Sequence, residues 1–139
     1  KLTAIQKAYI KSLSGINNIY IIGGSDVVNS SIEAELRDAK PSTNIERLAG
    51  PTRYDTSTLV AKRLLSGTRR KLVLAYGKNF PDGLSGGPLA MALNAPLILV
   101  DNSHTSAART YAKYCGASSA TVLGDSSLIS AQSVLNIIQ

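Results

Sequence analysis

The sequence predicts an α/β domain with a mostly parallel sheet. Its apolar residues come in short blocks rich in β-branched side chains, and none of these blocks alternates cleanly between apolar and polar residues. A strand that is apolar on both faces is typical of a parallel sheet covered by helices. Helical segments separate the blocks, and parallel strands need such crossover connections. The predicted strands are 19–22, 71–76, 96–100 and 120–123, with a short additional strand at Ile45–Arg47.

Helices are predicted between these strands from the spacing of apolar residues and from end signals. Ile5, Tyr9 and Leu13 recur every four residues and form one apolar stripe. Ser30 and Glu33 have the spacing of a capping box at a helix start. The predicted helices are 3–14, 30–38, 53–66, 86–94, 105–115 and 130–138.

Length and composition exclude several classes of protein. The chain has 139 residues, 44% of them hydrophobic, which suits one domain or one domain and a fragment. Its longest apolar block, Ala95–Val100, contains a proline and is far shorter than the about 20 residues of a membrane span. The single cysteine, Cys115, excludes an internal disulfide and a multi-cysteine zinc site, and the single histidine, His104, excludes a His-rich metal site. No apolar segment of a signal peptide follows Lys1–Thr3, so we expect a processed product or an excised part of a longer chain.

Positive charge is concentrated in the second part of the chain. The net charge is +6, of which residues 1–50 contribute +1 and residues 51–139 contribute +5. Such a balance indicates either an anionic partner or simple solubility. The densest basic runs, Lys62–Arg63 and Arg69–Lys71, precede a predicted strand and therefore belong to the amino edge of the sheet. The scarcity of aromatic residues, with no tryptophan and one phenylalanine, argues against a nucleic-acid-binding surface.

An internal repeat divides the chain unequally. Gly15–Gly23 matches Gly116–Gly124 without a gap, at an offset of 101 residues. Residues 1–45 therefore represent the back half of a first repeat, and residues 46–139 represent a complete second repeat.

The segment Gly77–Pro88 is the most unusual in the chain. It follows a predicted strand and opens a helix, at the sheet edge where parallel α/β folds bind ligands. Its small residues and Lys78 would suit an anion at a helix N-terminus. The alternative is a tight turn with close helix–strand packing, in which Asp82 or Ser85 caps the helix. The spacing is neither that of a Walker motif nor G-x-G-x-x-G.

Other side chains that could carry chemistry have ordinary structural interpretations. Ser85, His104 and Asp82 contain the residue types of a hydrolase triad, but no G-x-S-x-G elbow is present. His104 is expected to be a cap or an exposed residue, and Cys115 a small buried apolar residue. Four aspartates near strand ends could bind a divalent cation, although their spacing does not demand it: Asp26, Asp82, Asp101 and Asp125.

Three motifs follow one another along the chain: Arg47–Thr56, Gly77–Ser85 and Ala95–Val100. In this order they resemble the cell-wall-binding repeat type 2 family of Gram-positive surface proteins, notably clostridial S-layer-associated proteins. Tyr20–Gly24 is similar to the closing motif of that family, and Thr121–Asp125 is a diverged copy of it. Ser57 and Gly83 stand where the family usually has alanine.

The resemblance implies an α/β, Rossmann-like three-layer module with a mostly parallel sheet, present here as about one and a half tandem repeat units. It implies non-catalytic anchoring of a secreted protein to an anionic, teichoic-acid-like secondary wall polymer, with no cofactor or metal. Neighbouring repeats in cis or a second chain are the expected protein partners, and neither nucleic acid nor membrane insertion is expected. The alternative is an enzyme or sensor that binds a phosphorylated small molecule at Gly77–Pro88. Placement in the densest motifs makes five residues the candidate polymer contacts: Arg53, Lys78, Asn79, Asp82 and Ser85.

Overall fold

The computed structural model describes residues 1–139, which form two compact units. Unit 1 is Lys1–Gly50 and unit 2 is Pro51–Gln139. In chain order the elements are α1 (Ala4–Ser12), β1 (Asn18–Ile22), α2 (Ser30–Ala39), β2 (Asn44–Leu48), α3 (Arg53–Leu64), β3 (Lys71–Tyr76), α4 (Pro81–Ala92), β4 (Leu97–Val100), α5 (Ser106–Cys115), β5 (Ser119–Leu123) and α6 (Ala131–Ile138). None of the helices has both the length and the apolar character needed to cross a membrane.

The sheet of unit 2 confirms the predicted parallel α/β class. Its strand order is β4-β3-β5, with both neighbours parallel to β3. Leu72–Ala75 in the central strand are completely buried. Leu72 and Leu74 pack with residues of α3, α5 and α6, whereas Val73 packs with Ala90 of α4. Helices therefore cover both faces, which explains why the strand sequence shows no alternation.

Unit 1 contains a smaller parallel sheet made of β1 and β2. Asn18 is opposite Asn44, and the register continues to Ile22 opposite Leu48. Ile21, Leu36 and Ile45 form its buried core. The short additional strand predicted at Ile45–Arg47 is thus present as β2. The compact unit ends at Gly50, five residues beyond the predicted repeat boundary, and the division into a half repeat and a complete repeat stays a prediction.

The two segments of the internal repeat have the same local structure. β1 and β5 have the same bounds at an offset of 101 residues. Gly15 and Gly116 have φ angles of 71° and 72°, and Gly23 and Gly124 have φ angles of 119° and 130°. Only glycine adopts the last two conformations without strain. The expected equivalence of the two strand–loop segments therefore agrees with the structure, while the number of repeat units stays a prediction.

Helix α4 begins at Pro81, five residues before its predicted start, and the predicted caps are wrong. Phe80 is the N-cap residue and makes no side-chain cap hydrogen bond. Asp82 lies inside the first turn, and the Ser85 hydroxyl donates to the carbonyl of Pro81 within the helix. The sequence did not predict the first turn of this helix, because glycines are poor helix formers. Gly86 is needed there, since a Cβ atom would lie 2.5 Å from Leu97 Cδ1.

Ser57 closes part of the exposed edge of the unit 2 sheet. The amide of Leu99 in edge strand β4 donates to Ser57 Oγ at 3.1 Å, and the same hydroxyl donates to the carbonyl of Tyr54. Strand edges leave such amides without partners unless a side chain supplies one. Ser57 therefore ties α3 to β4 at a position where the related family usually has alanine.

We predict that Ser57→Ala lowers the free energy of unfolding by about 1 kcal/mol, because the Leu99 amide loses its acceptor. Hydrogen exchange of the Leu99 amide should become faster. Thr58→Ala is the control, because the Thr58 hydroxyl donates only to the backbone carbonyl of Asp55 in its own helix. An unchanged Leu99 exchange rate in Ser57→Ala would contradict this role.

Candidate functional site

A buried carboxylate organises the carboxyl edge of the unit 2 sheet. Asp101 follows β4 and is only 2% exposed. Its oxygens accept hydrogen bonds from the Tyr54 hydroxyl, from His104 Nδ1 at 2.8 Å and from the Ser103 amide at 2.7 Å. Lys78 Nζ lies 3.5 Å from the same carboxylate. Asp101 thus joins α3, the loop after β3 and the loop after β4.

These hydrogen bonds shift the pKa values of the groups that make them. Burial works against ionisation of Asp101, but the hydrogen bonds from Tyr54, His104 and Ser103 outweigh it and hold its pKa well below the usual range. Burial, and next the hydrogen bond to the Asp101 carboxylate, raise the pKa of Tyr54 to about 12. Asp101 is therefore ionised and Tyr54 neutral throughout the physiological range.

His104 and Gly77 lie against the ring of Tyr54. The His104 ring stacks on it with a centroid distance of 4.5 Å and an interplanar angle of 7°. A Cβ atom at Gly77 would lie 2.5 Å from Tyr54 Cε1, so glycine is required for the close approach of the loop. Arg53 donates to the carbonyl of this glycine at 2.8 Å. His104 is exposed, as the sequence suggested, and its ring is in addition part of this cluster.

The five candidate contacts lie around this edge but do not form one cluster. Arg53 and Lys78 are held at the ends of β3 and β4 by Gly77 and Asp101, respectively. Asn79 accepts the Phe80 amide at 3.0 Å through Oδ1. Asp82 extends towards the loop after β5, where its Oδ2 would be 3.3 Å from a Cβ atom at Gly124, and the Ser85 hydroxyl is bonded within α4.

Sequence reasoning missed two interactions that order these loops. Asp101 was recognised as a strand-end carboxylate, but its pairing with Tyr54 was not foreseen. Asn102 donates to the carbonyl of Ser127 at 2.9 Å and accepts from Ser130 and Ser133, which joins the loops after β4 and β5. The only sequence signal was a polar pair directly after a buried strand.

The start of α4 is a poor cradle for an anion. Pro81 has no amide hydrogen, and the Phe80 amide already donates to the side-chain oxygen of Asn79. The Asp82 carboxylate adds negative charge in the first turn. Gly77 and Gly86 serve close packing against Tyr54 and Leu97, respectively. The segment therefore fits the interpretation as a turn with close helix–strand packing.

The side chains of a triad or a metal site are not assembled. His104 Nδ1 bonds to Asp101, while the Ser85 hydroxyl bonds to carbonyls of its own helix. No three histidine, cysteine or acidic side chains are grouped so that they could hold a metal ion. Cys115 is buried, as the sequence predicted, and burial raises the pKa of its thiol.

Opposite charges lie at opposite edges of unit 2. All four of its acidic residues lie at helix starts or after strands, on the carboxyl edge: Asp55, Asp82, Asp101 and Asp125. Six of its nine basic residues lie in the last turns of α3 and α5 or at the start of β3, on the amino edge, which we call the basic edge: Lys62, Arg63, Arg69, Arg70, Lys71 and Lys113. The carboxyl edge, with Arg53, Lys78 and, near the start of α5, Arg109 as its cations, carries a net charge of −1.

A family model described as cell wall binding domain 2 matches residues 47–134. The chain belongs to this family. It is therefore a wall-binding domain of the CWB2 type, whose place of action is the bacterial cell wall or surface. The match begins at Arg47, inside β2, although β2 pairs with β1 in unit 1.

Two curated relatives come from Bacillus subtilis strain 168. The chain is 30% identical to N-acetylmuramoyl-L-alanine amidase LytC over 131 residues, which is 94% of this chain and 25% of LytC. It is 32% identical to the amidase enhancer over 85 residues, which is 61% of this chain and 11% of that protein. This CWB2 chain thus spans a quarter or less of the length of these relatives.

A solved structure shares the fold. Cwp8 from Clostridium difficile superposes with a TM-score of 0.71 at 21% sequence identity. The likeness covers 99% of this chain and 24% of Cwp8. It supports the parallel α/β architecture of the CWB2 chain described above.

We predict that Gly77→Ala destabilises the domain by about 1–3 kcal/mol, because the new methyl group must displace the Tyr54 ring. Denaturant unfolding measures the change. Gly87→Ala is the matched control, since a Cβ atom at that helical glycine meets nothing within 4 Å and alanine favours the helix. Equal stability of the two variants would contradict the close packing of Gly77 against Tyr54.

We predict that Asp101→Asn destabilises the domain by about 1–3 kcal/mol at pH 7, since buried donors lose a charged acceptor. The folded-state pKa of Asp101 lies below its unfolded value, so the carboxylate stabilises the fold above about pH 4. That contribution is lost as the pH falls through the folded-state pKa. The difference in unfolding free energy between wild type and variant should therefore narrow below about pH 4.

Urea titrations at a series of pH values measure this difference. Asp26→Asn, at an exposed aspartate of unit 1, is the control and should give no comparable gap at pH 7. A gap for Asp101→Asn that stayed constant down to pH 2 would show that ionisation of this carboxyl does not stabilise the fold.

Proposed function

We propose that this CWB2 chain anchors a larger secreted surface protein to the Gram-positive wall by binding an anionic, teichoic-acid-like polymer, without catalysis. The observation that carries the proposal is the separation of charge in unit 2. Six cations share the basic edge, and every acidic residue of the unit lies at the opposite edge. Each negatively charged group of a polyanion would be attracted electrostatically to such a surface.

The strand start within the basic edge supports a binding role more strongly than the helix ends do. Basic residues in the last turns of α3 and α5 complement the partial negative charge of helix C-termini, so they have a structural reason to be there. Arg70 and Lys71 are exposed at the start of β3, and strands have only small net dipoles. Their charges are therefore available to a ligand without serving the fold. We infer that the anionic groups of the polymer bind mainly to Arg70 and Lys71.

The five residues taken from the family motifs are a second proposed contact area. Lys78 and the exposed Phe80 ring both belong to the loop after β3, where a sugar could meet a charge and an apolar face. Asn79, Asp82 and Ser85 add polar groups to the start of α4, and Arg53 adds a cation at its anchor on Gly77. This area suits hydroxyl groups of a polymer better than its anionic groups, because the edge is net negative.

The alternative function, binding of a phosphorylated small molecule at Gly77–Pro88, has no supporting observation. A phosphate site needs free amides, a positive electrostatic field and accessible glycines. Here Pro81 lacks an amide hydrogen, Asp82 adds negative charge, and the Tyr54 ring packs against Gly77. On the basis of the family resemblance, we also propose that the fold is Rossmann-like and that the chain contains about one and a half repeat units. The proposed protein partners are neighbouring repeats in cis or a second chain.

We predict that Arg70→Gln combined with Lys71→Gln lowers affinity for Gram-positive walls about 5- to 30-fold at low salt, because two exposed charges are lost. Wild-type retention should fall as salt rises, since exposed charges are screened within about 8 Å at physiological ionic strength. Sedimentation with purified walls, with and without extraction of their anionic polymer, measures the effect.

Two further variants make the result interpretable. Lys1→Gln combined with Lys11→Gln removes the same charge from exposed positions of unit 1 and should retain binding. Lys78→Ala tests the carboxyl edge, and a larger loss there than at the basic edge would place the main contact with the five motif residues. Wild-type retention that is insensitive both to salt and to polymer extraction would overturn recognition of an anionic polymer.

A further inference from the structure

We propose that the free edge of β5 binds a parallel strand from a following CWB2 repeat. An arginine of that strand would stabilise the pairing by donating hydrogen bonds to the loop after β5. The inference goes beyond wall binding, because it concerns how one repeat joins the next. It rests on the β1–β2 pair of unit 1, which shows the same edge occupied one repeat earlier.

Hydrogen-bond direction identifies the edge of β1 that β2 occupies. The amide of Asn44 donates to the carbonyl of Asn17 at 3.0 Å, and the amide of Gly23 donates to Leu48 at 2.9 Å. Along a strand the main-chain groups of successive residues alternate in direction. The groups of Ile19 and those of every second residue from it therefore face β2.

The equivalent edge of β5 is unpaired. Ser119 donates to the carbonyl of Arg70 at 3.1 Å, so Ser119, Thr121 and Leu123 face β3. The groups of Ala120 and Val122 point the other way, and β5 is the last strand of its sheet. At the offset of 101 residues, Ala120 and Val122 correspond to Ile19 and Ile21. β5 thus offers the same edge that β1 uses to bind β2.

The arginine of the docking strand would have its acceptors in place. In unit 1, Arg47 donates to the carbonyls of Gly23 at 2.8 Å and Val28 at 2.9 Å. The corresponding residues, Gly124 and Ile129, lie in a loop of the same conformation. Ile129 bonds back to Asp125, as Val28 bonds back to Gly24, and the φ angles of the two leading glycines are similar.

The side chains of β5 would also be covered by such a strand. Ile45 of β2 is buried with Ile21 and Leu36. Their counterparts Val122 and Ile137 belong to the main core of unit 2, where Val122 is only partly buried. An isoleucine two positions before the arginine would extend that core over the strand edge.

The family match fits this assignment of the docking strand. It begins at Arg47, so the arginine that opens this repeat is already bonded to the loop of the preceding strand. The occupant is therefore defined by chemistry: a parallel strand with the β2 pattern Asn-Ile-Glu-Arg-Leu, at the start of the next repeat.

Appending a copy of residues 39–50 directly after Gln139 tests the proposal on the full chain. The first added residue continues the offset of 101, so no linker has to be designed. Hydrogen exchange measured by NMR should slow by about tenfold or more at the amides of Ala120 and Val122. Thr121 and Leu123 already face β3, and their exchange rates serve as the internal reference.

Two control extensions complete the design. An extension with proline in place of the copied Asn44 and Glu46 loses two of the three amides that would donate to β5, and should therefore leave Ala120 and Val122 unprotected. An extension with alanine in place of the copied Arg47 should give less protection than the intact copy. Equal exchange at Ala120 and Val122 in the intact and proline extensions would overturn the docking edge, whatever the result of the wall-binding experiments.

Discussion

The buried carboxylate of Asp101 holds together the loops from which the carboxyl edge of unit 2 is built. Its partners come from α3, from the loop after β3 and from its own loop, and the Tyr54 hydroxyl reaches it across 47 residues of sequence. Without this acceptor the buried hydroxyl would lose its hydrogen bond, at a cost of about 1–3 kcal/mol. The position of the Tyr54 ring in turn demands glycine at Gly77, because a Cβ atom there would lie 2.5 Å from Tyr54 Cε1.

Fold and electrostatics are linked in unit 2 through the direction of its helices. A parallel sheet with antiparallel helices brings all helix starts to one edge and all helix ends to the other. Asp55 and Asp82 complement helix starts, whereas Lys62, Arg63 and Lys113 complement helix ends. The separation of charge is therefore partly a consequence of topology, and Arg70 and Lys71 extend it beyond what the helices require. The proposed polyanionic polymer would attract the basic edge more than the carboxyl edge, which would orient the domain before any specific contact forms.

Sequence patterns revealed those parts of the fold that depend on local chemistry. The β-branched apolar blocks identified four of the five strands, because burial on both faces leaves a continuous apolar run. The remaining strand, β2, contains Glu46 and Arg47 and was expected only as a short additional strand. The start of α4 was missed, since Gly83 and Gly86 lower helix propensity while the latter serves close packing that no local pattern records. The cluster of Tyr54, Asp101 and His104 was missed for a related reason: it depends on tertiary packing, which places the start of α3 against the loop after β4. Charge counts gave the excess of cations, and the predicted order of elements already placed the densest basic runs at the amino edge of the sheet.

Arg47 shows why repeat boundaries in sequence and in structure need not coincide. By sequence it opens the repeat matched at residues 47–134, whereas its guanidinium binds the carbonyls of Gly23 and Val28 and approaches Glu33 in unit 1. A repeat that lends its first strand to the sheet of the preceding one cannot close its own edge alone. In the docking proposed above, the edge of β5 is open for the same reason that the edge of β1 is filled, and each added repeat would stabilise the one before it. Surfaces formed by helix and strand ends would then recur at regular intervals, which would suit the proposed anionic polymer, whose charges also repeat.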